Sequence, residues 1–397
     1  MVEVSSRRAS VAGAVWATRT VFAGNGALFA TWVSRLPAVR DRLEATEQGL
    51  GFALLCVAVG SLLAMPLSSR LISRFGDRSV IGVCVLVCVL AYPTLGLVPG
   101  LLALGAVLLV VGAGVGVWDV AMNVAGHEVE KRAGRSLMPG FHACWSLGTV
   151  GGAGVGALAA RAGLEPALHF AVASVVVGAA SLLAIPRLPD SRDADGNPEC
   201  EGEHHVPARP SRPIVTDPRL LGLGLMTFCA AWAEGSANDW LALLLTDDRD
   251  ATGAQAALGF AVFATAMTLG RVAGNRVVDT LGRVRALRWG ATVAAIGVVL
   301  LLAVPTLATG YAGALLWGLG VAVAFPLAMS AAGETPGRGP AAIAMVSTIA
   351  YSGFLVGPPL VGTIAHHVGL DRALWVVVVL AVGMLVLSGT ARPAEDR

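Results

Sequence analysis

The chain has 397 residues, of which 55% are hydrophobic and only 14% charged, where soluble domains carry roughly 25% charged residues. That deficit excludes a soluble globular domain, and a net charge of +2 excludes the basic face of a nucleic-acid binder. The mean hydropathy is +0.73, and the few charges fall in short bands between apolar runs. About 20 residues at a rise of 1.5 Å cross the hydrocarbon core, so each run is long enough for one transmembrane helix.

In chain order the runs predict spans at roughly 14–36, 49–69, 79–98, 101–123, 138–160 and 166–186, then roughly 220–245, 255–276, 286–305, 308–331, 342–365 and 371–391. Arg7 and Arg8 precede the first run, and no small-residue cleavage site follows it. It reads as span 1, not as a cleaved signal. Connections such as Pro99-Gly100 and the stretch around Thr306 are short and force antiparallel neighbours. Residues 187–218 are rich in Pro, Asp, Glu, Arg and His, show no apolar period and read as a linker. The pair His204-His205 within it reads as a solvated loop. Five of the six cysteines lie in apolar runs and none has metal-ligand spacing. No metal or cofactor is implied. The expectation is an all-α membrane protein of twelve transmembrane helices, with six-helix bundles at 1–186 and 219–397 and a linker at 187–218.

Orientation follows from the positive-inside rule. With the N-terminus cytoplasmic, six of the 28 basic residues face outwards: Arg35, Arg40, Arg42, Arg161, Arg249 and Arg372. Both termini and the linker are therefore expected in the cytoplasm, with the chain in a bacterial inner membrane. The halves also repeat. A shift of about 206–208 positions brings Leu50-Gly51-Phe52-Ala53 onto Leu258-Gly259-Phe260-Ala261 and Trp32 onto Trp240. It brings the stretch from Trp118 to Gly126 onto Phe325 to Gly333, and Gly151, Gly156 and Gly163 onto Gly357, Gly362 and Gly369. A six-span unit used twice predicts a pseudo-twofold axis along the membrane normal and a solute site between the halves near mid-membrane.

The arrangement resembles the major facilitator superfamily over essentially the whole chain. The signature of that family after span 2 is Gly, three residues, Asp-Arg, any residue, Gly, Arg, then Arg or Lys. Here Arg74, Gly76 and Arg78 fit it, Asp77 stands between the last two, and Ser69 and Ser73 depart from it. The copy from Asn275 to Val284 keeps Asp279, Gly282 and Arg283 but lacks the Arg after the Asp. The resemblance implies that this loop gates the cytoplasmic side by pairing charges with neighbouring helix ends. The segments Trp118–Asn123, Gly140–His142 and Glu234–Trp240 look like a bacterial branch akin to fucose-permease-type carriers. Gly353 to Pro359 in span 11 is similar to a Gly-Pro motif that exporters carry in span 5, where this chain has glycines and no proline.

Polar residues inside the apolar runs mark candidate sites, because each costs insertion energy and should face a cavity or a partner. Span 1 places Asn25, Phe29 and Trp32 on one face, suited to stacking and orienting a ligand or, alternatively, to helix packing through Gly24 and Gly26. Span 7 carries Glu234 at mid-depth, with Asn238 one turn on and then Asp239. A carboxyl there suits proton exchange, and the alternative is a structural ion pair with Arg35. Arg35 and Asp239 lie near the outer ends of repeat-related spans and form a candidate outer salt bridge or plain interfacial charge. Asp119 and Asn123 of span 4 and His142 and Trp145 of span 5 form either a proton relay or a pair locking two helices. Tyr351 is the repeat mate of Trp145. Arg271 of span 8 is assigned to the cytoplasmic gate with Arg74, Asp77, Arg78, Asp279 and Arg283.

These features point to a secondary carrier of a small solute, working by alternating access in the lipid bilayer as a monomer, with protons as the coupling ion and Glu234 opposite Asn25. Uptake and export both fit. A channel fits less well, since isolated mid-membrane carboxylates do not form charge rings. No nucleophile–base, phosphate-loop or zinc motif supports an enzyme, and none supports a receptor.

Overall fold

The structure, a computed structural model, describes residues 2–134, 137–189, 216–336 and 338–392. Most of the linker, with His204 and His205, lies outside the described residues. The first unit comprises Met1–Ala45 and Phe52–Gly202, and the second Thr46–Gly51 and Glu203–Arg397.

The first part of the chain forms α1 (Val2–Val33), the short α2 (Leu36–Arg42), α3 (Glu47–Phe75), α4 (Asp77–Leu95), α5 (Leu101–Ala133), α6 (Met138–Arg161) and α7 (Pro166–Ala184). The second part forms α8 (Pro218–Arg249), α9 (Gly253–Leu281), α10 (Arg283–Ala303), α11 (Leu307–Val321), α12 (Ala324–Gly333), α13 (Gly339–Val368), α14 (Leu370–Ala373) and α15 (Trp375–Leu387). Local chemistry sets many ends. Asp217 accepts from the first amides of α8, and Thr252 with Gln255 makes a capping box at α9. Pro139 and Pro166 open α6 and α7, where a missing N–H costs nothing. Gly76 and Gly282 turn the two motif loops at φ 78 and φ 76, a conformation that favours glycine.

All twelve expected spans are helical, as two bundles of six. Eleven helices among the described residues are long and apolar enough to cross a membrane, and α1, with Arg19 and Asn25 in it, is the twelfth. Several run past the hydropathy windows: α5 continues to Ala133 and α9 to Leu281. Hydropathy marks the thickness of the hydrocarbon, whereas backbone hydrogen bonding carries on into the polar layer. Span 10 is broken at Ala322–Val323 into α11 and α12, next to Pro326, which has no amide hydrogen. Large apolar side chains stay exposed, Leu102 at 94%, as they must where lipid replaces water.

The repeat reappears in the packing. Gly148 and Gly152 of α6 lie on the backbone of Ala23 and Ala27 in α1. A shift of 205 positions gives Gly353 and Gly357 of α13 against Phe228 and Trp232 of α8. Gly112 meets Val57, and 206 positions on Gly318 meets Phe263. In each half a Gly-xxx-Gly face lets two backbones approach, the source of van der Waals contact where no hydrophobic force acts between helices. Arginines follow the same rule. Arg42 Nη2 donates to the Val98 carbonyl at 2.9 Å, and Arg249 Nη2 to the Leu301 carbonyl at 2.7 Å. The glycine shifts of 205 and 206 fall at or just below the low end of the 206–208 read from the sequence.

Candidate functional site

In the first unit the close α1–α6 contact builds one polar-aromatic cluster. Trp145 Nε1 donates to Asn25 Oδ1 at 2.9 Å. The rings of Phe29 and Trp145 stack with centroids 6.0 Å apart. Gly26 sits on the Trp145 carbonyl, so packing and the polar contact are parts of one interface. Asn25 is 3% exposed, and its Nδ2 has no hydrogen-bond partner among the described residues. Trp32 leaves this face. It is buried against Phe170, whose ring also meets Tyr92 edge-on. Two turns along the helix from Asn25 the ring's neighbour is α7, so Trp32 enters the α7 packing, and its repeat mate Trp240 is fully buried as well. Both are core.

In the second unit Glu234 of α8 is paired. Arg271 Nη2 of α9 stands 3.4 Å from both Oε1 and Oε2, and the side chains are 17% (Glu234) and 32% (Arg271) exposed. Arg271, which sequence reasoning put in the gate, thus meets Glu234. The ion pair considered for Glu234 is made with Arg271 in place of Arg35. Arg271 Nε is buried without a partner among the described residues. Phe354 of α13 lies over Gly235, the residue after Glu234. Tyr351 follows with its ring 6.4 Å from Phe354 and 6.2 Å from Phe325. Asn238 and Asp239 are half-buried one turn on, and Asp239 has no ion-pair partner among the described residues.

The remaining candidates separate. Asn123 Nδ2 donates to the Asp119 carbonyl at 2.8 Å and approaches its Oδ1 at 3.4 Å, an i,i+4 contact within α5. His142 packs edge-on to Phe22, ring centroids 5.3 Å apart. Arg35 is 5% exposed and donates Nη2 to the Leu164 carbonyl. Among the loop residues, Asp77 is buried and accepts from the Arg78 amide at 3.0 Å. Arg78 Nε donates to the Leu188 carbonyl. Arg74 is exposed and lies over the Phe75 ring, and Asp279 is exposed.

Arg283 holds Glu334, at the end of α12, with Nη1 to Oε2 at 2.9 Å and Nη2 to Oε1 at 2.5 Å. It also reaches Ser330 Oγ and the Ala391 carbonyl. The hydrogen bond from Arg283 keeps the Glu334 carboxyl below its ordinary value of 4.5, with the Arg283 and Arg219 charges acting in the same direction. Sequence reasoning missed Glu334 and Phe354. Glu334 was visible as the acid ending span 10 beside the motif loop, and Phe354 as the ring three residues after Tyr351.

The model for the Major Facilitator Superfamily matches residues 20–246 and again 223–397. An uncharacterised MFS-type transporter of Yersinia pestis is 36% identical over 378 residues, covering 94% of each chain. An uncharacterised transporter of Sinorhizobium fredii is 32% identical, covering 92% of this chain and 94% of its own. Among solved structures, a single-residue mutant of the nucleoside transporter NupG superposes with a TM-score of 0.77 at 12% identity, covering 95% of this chain and 98% of that one. Matched from end to end by family and relatives, this multi-pass membrane chain belongs to the Major Facilitator Superfamily and is a secondary transporter.

Proposed function

We propose that the protein is a proton-coupled carrier of a small polar solute, with Glu234 and Arg271 as the coupling pair. The supporting observation is a half-buried carboxylate–guanidinium pair held at 3.4 Å in the middle of two apolar helices. Protonating Glu234 cancels its attraction to Arg271, so a proton and the pairing compete for one carboxylate. A solute that parts the pair competes with the proton for the Glu234 carboxylate, which links the two events. Within the first unit, the Asn25 Nδ2 and the Trp145 ring offer a hydrogen-bond donor and a stacking face of their own. In this reading 1–186 and 219–397 act as two bundles joined by 187–218, with both termini in the cytoplasm of a bacterial cell, and the monomer transports.

The test uses purified protein in liposomes loaded with a pH-sensitive dye. Solutes are added singly, and solute-dependent proton flux is recorded. Glu234→Gln is expected to fold and to lose solute-dependent proton flux. Wild-type proton flux in that variant would sink the proposal. The direction of flux under an imposed gradient separates uptake from export.

A further inference from the structure

We infer that the solute received by the Glu234–Arg271 pair is a zwitterion, offering a carboxylate to Arg271 and an ammonium to Glu234. The inference rests on that pair being the solute site.

Two arginine–glutamate pairs on facing helices among the described residues are built differently. Arg283 grips Glu334 with two nitrogens on two oxygens, at 2.9 and 2.5 Å. That is the two-pronged geometry of a tight, charge-assisted pair. Arg271 offers one nitrogen, Nη2, to both oxygens of Glu234, each at 3.4 Å. A charge-assisted N–H···O bond is normally about 2.7–2.9 Å, so this pair is slack. The Nε–H lies on the same edge of the guanidinium as Nη2. It is buried and has no acceptor among the described residues. Half of the edge that would bind a carboxylate side-on is therefore unsatisfied, although covered in this conformation.

Charge balance then selects the ligand. The pair sums to zero in a low-dielectric environment. A solute with a net charge would leave that charge uncompensated, which is costly. A neutral hydroxyl forms hydrogen bonds but does not replace the attraction lost when the pair parts. A zwitterion brings one charge of each sign. Its carboxylate completes the Nε–Nη2 edge and its ammonium takes the Glu234 oxygens, giving four alternating charges. Phe354 over Gly235, followed by Tyr351, places an apolar wall in the same unit for the rest of the molecule.

The test is equilibrium binding to the purified full chain in lipid nanodiscs, with no pH gradient. Failure of proton coupling therefore leaves this result independent. The probes are the twenty standard amino acids, the N-acetyl and methyl-ester forms of any that bind, and uridine as a neutral solute. At least one amino acid is expected to bind, and blocking either end is expected to weaken it by about tenfold or more. Glu234→Gln should abolish the preference for a free amine, and Arg271→Gln the preference for a free carboxylate. Loss of one discrimination with the other kept is not an outcome of general misfolding. If a variant does not fold, the matched derivatives on the wild-type chain decide. Binding by no amino acid, equal binding of parent and blocked forms, or binding of uridine alone would overturn the inference.

Discussion

Replacing Arg283 by Gln tests how the second bundle closes at its motif loop. The wild-type guanidinium holds the Glu334 carboxylate in two-pronged fashion and also reaches the Ala391 carbonyl at the end of the last helix. Glu334 is 39% exposed, so solvent screening limits the pair to about 1 kcal/mol. A cation at a helix C-terminus adds roughly 0.3–1 kcal/mol. The expected loss is about 1–2 kcal/mol, which for a bundle of this size lowers the melting temperature by roughly 3–6 °C. The pH dependence has a definite sign. The Glu334 carboxyl is held below its ordinary 4.5 when folded, so its stabilisation is fully present above that value. It disappears as pH falls through the lowered folded-state value. Melting followed by intrinsic fluorescence in detergent, for wild type, Arg283→Gln, Glu334→Gln and the double variant, gives the coupling directly. The wild-type advantage should hold at neutral pH and narrow only below about 4.5. A coupling of zero at neutral pH, or an advantage unchanged in strong acid, would refute the reasoning.

Two further substitutions probe the α1–α6 interface. Gly148→Ala puts a methyl on the Ala23 carbonyl, whereas Gly151→Ala in the same helix meets nothing within 4 Å. The first should cost about 1–3 kcal/mol and the second almost nothing; equal melting temperatures would deny the close backbone approach. Trp145→Phe keeps a ring beside Phe29 but strips Asn25 Oδ1 of its donor, leaving a buried amide wholly unpaired at a cost of about 1–3 kcal/mol. Asn25→Ala in that background should recover much of the loss, and a further drop would show that the amide has another partner.

Twelve apolar runs separated by charged bands give the number of spans, and a constant shift gives the doubled bundle. Both are properties of composition along the chain. Which way a side chain points is a property of helix rotation and of the neighbouring helix, and periodicity carries little of it. Trp32 shares the face of Asn25 on a helical wheel, yet packs against Phe170 because α7 lies there. Trp145 and Asn25 were both candidates, but their hydrogen bond spans 120 positions and depends on Gly26 and Gly148 bringing two backbones together. Glu234 was picked out by its cost inside an apolar run. Its partner was not, since Arg271 is 37 positions away on another helix and any cation at similar depth fitted equally well.

The degenerate motif loops show where such partners come from when a sequence pattern loses its acid. Each loop turns on a glycine of positive φ, and within two residues of that glycine comes an arginine, Arg78 or Arg283. Arg78 donates to the Leu188 carbonyl, and Arg283 reaches the Ala391 carbonyl, in both cases just where the sixth span of its half ends. The last carbonyls of a helix have no amide to accept from and carry the negative end of its dipole. They can receive a guanidinium where a side-chain carboxylate is absent, whatever the residue type. That makes the acceptor invisible to a motif search and robust to substitution. Among the described residues the second half alone adds a true carboxylate, Glu334, so the two ends should respond differently to acid. Loss of Glu334 charge weakens the Arg283 contacts and leaves the Arg78 contact, which has a backbone acceptor, untouched.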